Sequence, residues 1–281
     1  MTTPVILLLL ASALLHASWN AIIKGGANKL FETAMQTMAC GLFGLCALLC
    51  LPLPAPASWP FLTGSVCLHF FYHLLLANAY KGADMSYAYT IMRGSCPLFT
   101  ALFTVFVLGH SLLLGAWAGV LLLSTGILVL ALDTLRKGHF QWLPTCIALG
   151  NAVIIMGYTV VDGSGVRVSG HAVAYVAWLF FLNAFPLVLF SLVRHKREFI
   201  RHVQTRWKFG LASGFCGVLA YGISVWAMTR APISLVAALR ESSVIFGMLL
   251  AVVYLKEPFS ALRALSVLLV MTGACCIKLF A

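Results

Sequence analysis

Apolar residues recur along the chain in ten long runs, which short polar connections separate. Each run is about as long as the 20 residues that an α-helix needs to cross a bilayer. Lipid offers no partner to open backbone groups, so we expect every run to be helical. The pattern predicts an all-α polytopic membrane protein with ten transmembrane helices. The runs cover residues 4–23, 30–51, 61–80, 85–108, 112–132, 142–161, 172–193, 209–229, 233–255 and 261–280.

Composition supports a membrane protein. Hydrophobic residues make up 62% of the chain, charged residues only 9%, and the mean hydropathy is +1.01. A soluble domain of this length needs far more polar surface. The net charge of +11 comes from basic residues that lie between the apolar runs rather than on a folded basic module. We therefore expect the lipid bilayer as a partner and no nucleic acid.

Lysine and arginine are distributed unevenly between the connections. Thirteen lie in the odd-numbered connections, whereas the even-numbered ones and the C-terminus hold three. The positive-inside rule then places the odd connections in the cytoplasm and both termini outside, in a bacterial inner membrane. The longest connection, 194–208, is interpreted as a topology-setting cytoplasmic loop. A surface amphipathic helix that touches anionic headgroups is the alternative.

The two halves of the sequence repeat each other. At a separation of 147 residues, Arg93 falls on Arg240, and Thr125–Gly126 falls on Thr272–Gly273. Each half contains five predicted helices, an odd number, so the second half must be inverted relative to the first. Inverted repeats are typical of transporters with a site at the repeat interface. We therefore divide the chain into a first repeat, 1–133, a cytoplasmic connection, 134–141, and a second repeat, 142–281.

Three charged residues lie deep inside the predicted spans: Arg93, Arg240 and Glu241. A charge at that depth costs on the order of 2.5–3.5 kcal/mol on insertion scales, so these side chains must turn inward. The arginines could clamp a carboxylate or phosphonate of a substrate, or pair with Glu241 to hold helices together. Glu241 could bind an amine, carry a coupling proton or neutralise an arginine. Asp162, near the end of its run, is interpreted as a cap or gate residue.

Other polar and aromatic residues inside the spans are candidates for lining a substrate cavity. In the first span, the histidine and asparagine of HASWN are four residues apart and share a helix face. In the third span, His69 and His73 also share a face, but no third ligand is evident, so we expect no metal. The further candidate binding residues are His16, Trp19, Asn20, His73, Tyr89, Asn151 and Tyr158.

Sequence motifs for catalysis are absent. The chain has no HExxH, no GxSxG and no Walker loop, and it has no soluble segment that could bind ATP. We expect neither an enzyme nor a cofactor.

Several motifs resemble the EamA-type carriers of the drug/metabolite transporter superfamily. The resemblance implies ten helices in two inverted halves and secondary transport, mostly export, of small metabolites such as amino acids, their derivatives or metallophores. The motifs are HASWNAIIK at 16–24, AYTIMRGSCP at 88–97, GYTVVDGSGVR at 157–167, TRAPISLVAALRESSVIF at 229–246 and LKEP at 255–258.

The first hypothesis is an exporter of a small carboxylated, zwitterionic metabolite that works by alternating access, with protons as candidate coupling ions. The second is a multidrug exporter of aromatic or quaternary cations, and an importer with the same fold is a variant of the first. The third is a membrane scaffold or scramblase-like protein without a small-solute site. A monomer suffices to enclose a cavity, and a homodimer is the alternative.

Overall fold

The computed structural model of the protein describes residues 3–106, 113–136, 141–228, 236 and 239–280. Regular secondary structure within these residues is helical throughout, with no strand. A one-turn 3-10 helix, Pro56–Ser58, precedes α3. The α-helices are α1 Thr3–Gly25, α2 Lys29–Leu48, α3 Trp59–Gly82, α4 Met85–Phe106, α5 Leu114–Arg136, α6 Trp142–Val168, α7 Ala172–Met228, α8 Ser243–Val253 and α9 Ala261–Phe280.

Six helical stretches in the described part of the chain are long and apolar enough to cross a membrane. Two further apolar helices are shorter, and one of the six is the 53-residue stretch Ala172–Ser224. Large apolar side chains such as Leu49, Leu114 and Trp142 are exposed on the outside of the bundle. A surface of this kind suits a lipid environment, so the protein is an all-helical multi-pass membrane protein.

Helix α7 corrects the expectation of a loop at 194–208. It continues through this segment and departs from helical geometry only at His195, with φ −142° and ψ 40°. His195 thus divides α7 into a first limb, 172–194, and a second limb, 196–228. At 1.5 Å per residue the second limb is roughly 50 Å long, whereas a bilayer core is about 30 Å thick. The polar start of this limb is therefore a helical extension beyond the apolar span.

Contacts with α2 hold this extension in place. Arg206 donates to the carboxylate of Glu32, and His202 lies 3.2 Å from the same oxygen. The ring of Phe31 packs 5.6 Å from the ring of Phe199. Hydropathy detects only the apolar part of a helix. The sequence prediction therefore began the eighth span at residue 209, although the helix already begins after His195.

Helix α6 is also longer than its apolar run. It continues through Gly163 and Gly165 to Val168, where a connection was expected. A β-carbon on Gly165 would lie 2.6 Å from the Cβ atom of Phe61 and 2.5 Å from the hydroxyl of Tyr175. This glycine therefore permits close helix packing rather than ending the helix.

The ninth predicted span is not a single helix in its described part. Arg240 is helical, Glu241 and Ser242 form a turn, and α8 begins at Ser243. The backbone N–H of Val244 donates to the carbonyl of Glu241 at 2.9 Å, as in a tight turn. Residues 229–235, 237 and 238 lie outside the described residues, as do 107–112 and, within the connection 134–141, residues 137–140.

Close helix pairs build the bundle. Helix α5 packs along α9, α2 along both limbs of α7, α3 against α6, α1 against the second limb of α7, and α4 against α6 and α8. Glycines permit the closest approaches: a β-carbon on Gly119 would lie 2.7 Å from the carbonyl oxygen of Gly273. On the other pair, a β-carbon on Gly214 would lie 3.1 Å from the carbonyl carbon of Ala39.

Candidate functional site

A polar cavity lies between the helices of the two predicted repeats. It encloses about 580 Å³ of empty space, part of which is open to solvent. The lining residues lie away from the ends of their helices, except Arg240, which directly precedes a turn. They are His16, Trp19, Gln36, Thr37, Cys40, His69, Tyr72, His73, Tyr158, Leu179, Phe180, Asn183, Gly217, Tyr221 and Arg240.

Arg240 is the only permanently charged residue among the described residues that line the cavity. Its guanidinium carbon lies 5.9 Å from the centre of the Tyr221 ring, which positions the cation by a weak ring contact. No carboxylate of the described residues lies within ion-pair distance of it. The helical geometry ends directly after Arg240, and residues 241–242 form a turn.

Arg93 is paired with Glu241. Its Nη2 atom lies 3.4 Å from Oε1 of Glu241, and the two residues are only 7% and 3% exposed. Neither residue lines the cavity. The pairing corresponds to the structural role considered from the sequence, in which Glu241 neutralises an arginine. The two deep arginines therefore have different surroundings, one with an acid at close range and one facing the cavity.

Aromatic rings of α3 and α6 form one wall. The imidazole of His69 stacks on the ring of Tyr158, with centroids 4.2 Å apart and an interplanar angle of 29°. The ring nitrogen Nδ1 of His69 lies 3.0 Å from the hydroxyl of Ser65. His73 lines the cavity one turn along α3. No group of three metal-ligating side chains occurs in the described part of the chain.

Helix α1 contributes His16 and Trp19, whose rings meet edge to face at 5.2 Å. Asn20 turns away from the cavity, although it shares a helix face with His16. Its amide donates to the His16 carbonyl at 2.9 Å, and its side-chain oxygen accepts from the Tyr80 hydroxyl at 2.8 Å. Asn20 thus joins α1 to α3 outside the cavity lining.

Two further predicted residues are buried beside the cavity without lining it. Tyr89 packs against Gly247 of α8, and its ring centroid lies 6.2 Å from that of His16. Asn151 donates to the sulfur of Met92 at 3.1 Å. Of the ten residues predicted from the sequence, five line the cavity: His16, Trp19, His73, Tyr158 and Arg240.

Sequence reasoning missed the polar residues that α2 and α7 bring to the cavity. Gln36, Thr37 and Asn183 interrupt apolar runs without charge or motif, so their only signal was polarity in the middle of a span. Amides and hydroxyls at these positions can accept or donate hydrogen bonds to a bound solute.

Asp162 corrects the expectation that Glu241 is the only deep acid. It lies inside α6, is 5% exposed, and accepts hydrogen bonds from Tyr175 at 3.0 Å and Tyr221 at 2.8 Å. The glycines that follow it suggested a helix end, but the helix continues. Asp162 does not line the cavity, whereas Tyr221, which donates to it, does.

Long apolar helices, an apolar outer surface and a central polar cavity define the class of the protein: a multi-pass membrane protein with room for a small solute. Residues 142–279 match the EamA-like transporter family. This match confirms the resemblance for the motifs that lie within it. The chain carries an EamA domain at 142–279, as membrane transporters of the drug/metabolite transporter superfamily do.

A solved structure supports the fold. This structure, described only as "Crystal structure of protein", is 23% identical to this chain, with a TM-score of 0.67 over 99% of this chain and 98% of that chain. At this identity the likeness concerns the fold alone. No curated protein matches the chain.

Proposed function

We propose that the protein is a secondary transporter that exports a small carboxylated or zwitterionic metabolite by alternating access. The transporting unit is the pair of inverted five-helix repeats, 1–133 and 142–281, in a bacterial inner membrane with both termini outside. The direction of transport follows the resemblance to family members, and the orientation follows the distribution of lysine and arginine.

Symmetric contacts favour the inverted repeat. In the α5–α9 pair, a β-carbon added to Gly119 would lie 2.7 Å from the carbonyl oxygen of Gly273. A β-carbon added to Gly126 would lie 2.9 Å from the carbonyl oxygen of Ser266. The two contacts are equivalent in the repeat. At a separation of 147 residues, Gly119 corresponds to Ser266 and Gly126 corresponds to Gly273. Two helices related by a two-fold axis make such exchanged contacts.

The other close pairs fit the same relation. If α6, the two limbs of α7, α8 and α9 correspond to α1 to α5, the α3–α6 contact maps onto the contact between α1 and the second limb of α7. The α4–α6 contact likewise maps onto the α1–α8 contact. The pseudo-two-fold axis then runs through the α4–α8, α5–α9 and α2–α7 pairs. On this count the described residues form ten α-helical segments, two of them in α7.

The repeat also explains why the two deep arginines differ. In the repeat, Arg93 corresponds to Arg240, and Glu241 corresponds to position 94. The equivalent of the Arg93–Glu241 pair would therefore join Arg240 to residue 94, which is a glycine. Arg240 therefore has no acid at the position that would neutralise it. An arginine that faces a cavity among buried rings, with no carboxylate at that position, is well suited to bind one bidentately. This guanidinium in the cavity is the observation that carries the proposal.

An amine of the substrate would contact ring faces rather than an acid. Glu241 is engaged by Arg93, and Asp162 is covered by tyrosines. The rings of Trp19, Tyr158 and Tyr221 remain as cation-binding surfaces in the cavity. The same rings are the observation in favour of aromatic cations as substrates, but Arg240 would repel a solute that carries a positive charge alone.

Matched solutes separate these possibilities in a binding test. The probes are histidine and phenylalanine, their N-acetyl derivatives, which keep only the carboxylate, and their amides, which keep only the amine. We expect the free amino acids or the N-acetyl forms to raise the melting temperature of the purified protein saturably, and the amides to have no effect.

Two variants localise the effect. Arg240→Gln should abolish the stabilisation, whereas Arg197→Gln, which removes an exposed cation from the extension, should retain it. Stabilisation by the amides alone would favour the multidrug function. Equal stabilisation of both variants by the carboxylates would refute the role of Arg240.

A further inference from the structure

One end of the bundle carries a network of charged residues that joins the two repeats. At this end α4 and α9 begin and α5 and α8 end. The carboxylate of Glu257, from the LKEP segment, accepts hydrogen bonds from the backbone N–H groups of Met85 and Ser86 at 2.6 and 3.0 Å. It also accepts one from the Ser86 hydroxyl at 2.6 Å. A residue of the second repeat thus caps the first turn of α4, where a negative charge also meets the helix dipole.

Arg263, in the first turn of α9, extends this network. Its Nη1 atom donates to the Ser86 hydroxyl at 2.8 Å and lies 3.3 Å from the Asp84 carboxylate. Its Nε atom lies 3.7 Å from the carboxylate of Asp133, which also accepts from Ser260 at 2.8 Å. The Arg263 cluster is defined as Asp84, Ser86, Asp133, Glu257, Ser260 and Arg263.

Three of the six residues of the cluster are buried, and the other three are partly exposed. Arg263 and Asp133 are 2% and 3% exposed, and Ser86 is buried. Hydrogen bonds to charged groups in such surroundings are stronger than those between neutral groups. Every side-chain-to-side-chain contact described within the cluster joins a residue of the first repeat to a residue of the second.

Apolar and polar packing lies between this cluster and the cavity. Ile23, Tyr80 and Met85 are fully buried in the largest hydrophobic cluster. The ammonium of Lys24 donates to the carbonyls of Tyr80 and Ala83 at 2.9 and 2.6 Å, which fastens the end of α1 to the end of α3. This end of the solute path is therefore closed.

Within the described residues, the opposite end lacks an equivalent cluster. The repeats meet there through neutral groups, such as the backbone bond from Ala55 to Ser169 at 2.9 Å. The ion pairs described between the repeats lie elsewhere. The repeated sequence offers a reason, because the charged residues of the cluster are not repeated. The residues equivalent to Glu257 and Arg263 are His110 and Ala116, and with the one-residue insertion Pro232 is equivalent to Asp84.

We infer that the Arg263 cluster is a polar gate that holds one end of the transport path closed and must separate for that end to open. The inference rests on the proposed inverted repeat and alternating access. The two ends share one architecture, so the cluster is what makes them unequal and biases the resting protein toward the state closed at this end. With the odd-numbered connections in the cytoplasm, the gated end is cytoplasmic.

Cysteine labelling tests the gate without any solute. Ala79→Cys, buried near the gated end of α3, and Ala174→Cys, buried in the first turn of α7 at the opposite end, serve as reporters. Each is placed in a variant whose exposed native cysteines are replaced by alanine, and labelling by N-ethylmaleimide is followed in proteoliposomes. The replaced cysteines are Cys46, Cys50, Cys67 and Cys146.

We expect Glu257→Gln to raise the labelling rate at Ala79→Cys at least tenfold and to leave the rate at Ala174→Cys equal or lower. Glu198→Gln, which removes an exposed acid from the extension, is the matched control and should change neither rate. A rate at Ala79→Cys within twofold of the parent protein would overturn the gate.

Loss of folding has its own signature, because both reporters would then label faster. In that case Asp84→Asn decides, since this carboxylate is 38% exposed and its loss disturbs packing less. We expect a rise of about threefold at Ala79→Cys alone, and no rise would overturn the gate. Because labelling needs no solute, a changed rate with no amino-acid binding would leave the gate standing and reject only the proposed substrate.

Discussion

Replacing Glu241 by glutamine should destabilise the protein strongly. The change leaves Arg93, only 7% exposed, without the carboxylate that lies 3.4 Å away. Breaking a buried ion pair by removing one partner costs about 3–5 kcal/mol in soluble proteins, because the other charge stays buried. A change of 1 kcal/mol shifts the melting temperature by about 2–4 °C for chains near this size, so we expect a loss of roughly 10 °C.

The assay is thermal unfolding in detergent, in a parent protein whose four exposed cysteines are replaced by alanine. Unfolding is followed by the reaction of the buried Cys40 and the half-buried cysteines with a fluorescent maleimide. Arg93→Gln alone should also destabilise the protein. The double variant Arg93→Gln with Glu241→Gln should recover much of the loss, because no buried charge is then left without a partner. Glu198→Gln, an exposed acid, is the control and should shift the melting temperature little.

The result that would refute this reasoning is additivity. If the double variant loses the sum of the two single losses, the pair contributes no coupling and each residue acts through other contacts. A melting temperature of Glu241→Gln within about 2 °C of the parent protein would refute the pairing as a stabilising contact.

Three other changes test the packing and the cavity. Gly273→Ala should lower the melting temperature clearly, because the added carbon would lie 2.6 Å from a carbonyl oxygen of α5, whereas Gly150→Ala, with open space around it, should not. Tyr158→Phe should keep the ligand-induced stabilisation by N-acetyl amino acids and Tyr158→Ala should lose it, since the ring stacks on an imidazole. Asp162→Asn should destabilise by about 1–3 kcal/mol in thermal unfolding, because the hydroxyl of Tyr221 loses a charged acceptor.

The sequence predicted the class of fold well, because apolar runs report the solvent that surrounds a helix. The same signal failed to predict helical segments that extend beyond the hydrocarbon core of the membrane. The extension after His195 is polar and helical, held by Glu32 and Phe31 of α2, and no hydropathy window can distinguish it from a loop. The pattern places Gly165 in a connection, although this glycine permits a tight helix crossing.

The candidate site was predicted only in part, since charge and motif identify residues but not their directions. Arg240 and Arg93 are equivalent in the repeat, yet a turn at 241–242 and the glycine at 94 give them different partners. Asn20 shares a face with His16 in the sequence but is held by Tyr80. Gln36 and Asn183 carry no charge or motif, so only the packed structure brings them to the cavity.

The role of Glu257 also required three dimensions. The LKEP segment by itself indicates only a likeness to the family, and the sequence pattern places its acid at a helix end. Its carboxylate caps α4, 171 residues earlier in the chain. Such a contact between repeats leaves no local pattern in the sequence.

Transport by the Arg240→Gln variant is the measurement that tests the central claim most directly. Proteoliposomes are loaded with the radiolabelled amino acid or N-acetyl derivative that stabilises the protein most, and its efflux is compared between the parent protein, Arg240→Gln and Arg197→Gln. The account predicts saturable efflux with the parent protein and with Arg197→Gln, and a loss of at least a hundredfold with Arg240→Gln at equal insertion, which corresponds to about 2.8 kcal/mol of lost carboxylate binding. Efflux with Arg240→Gln equal to that of the parent protein would contradict it.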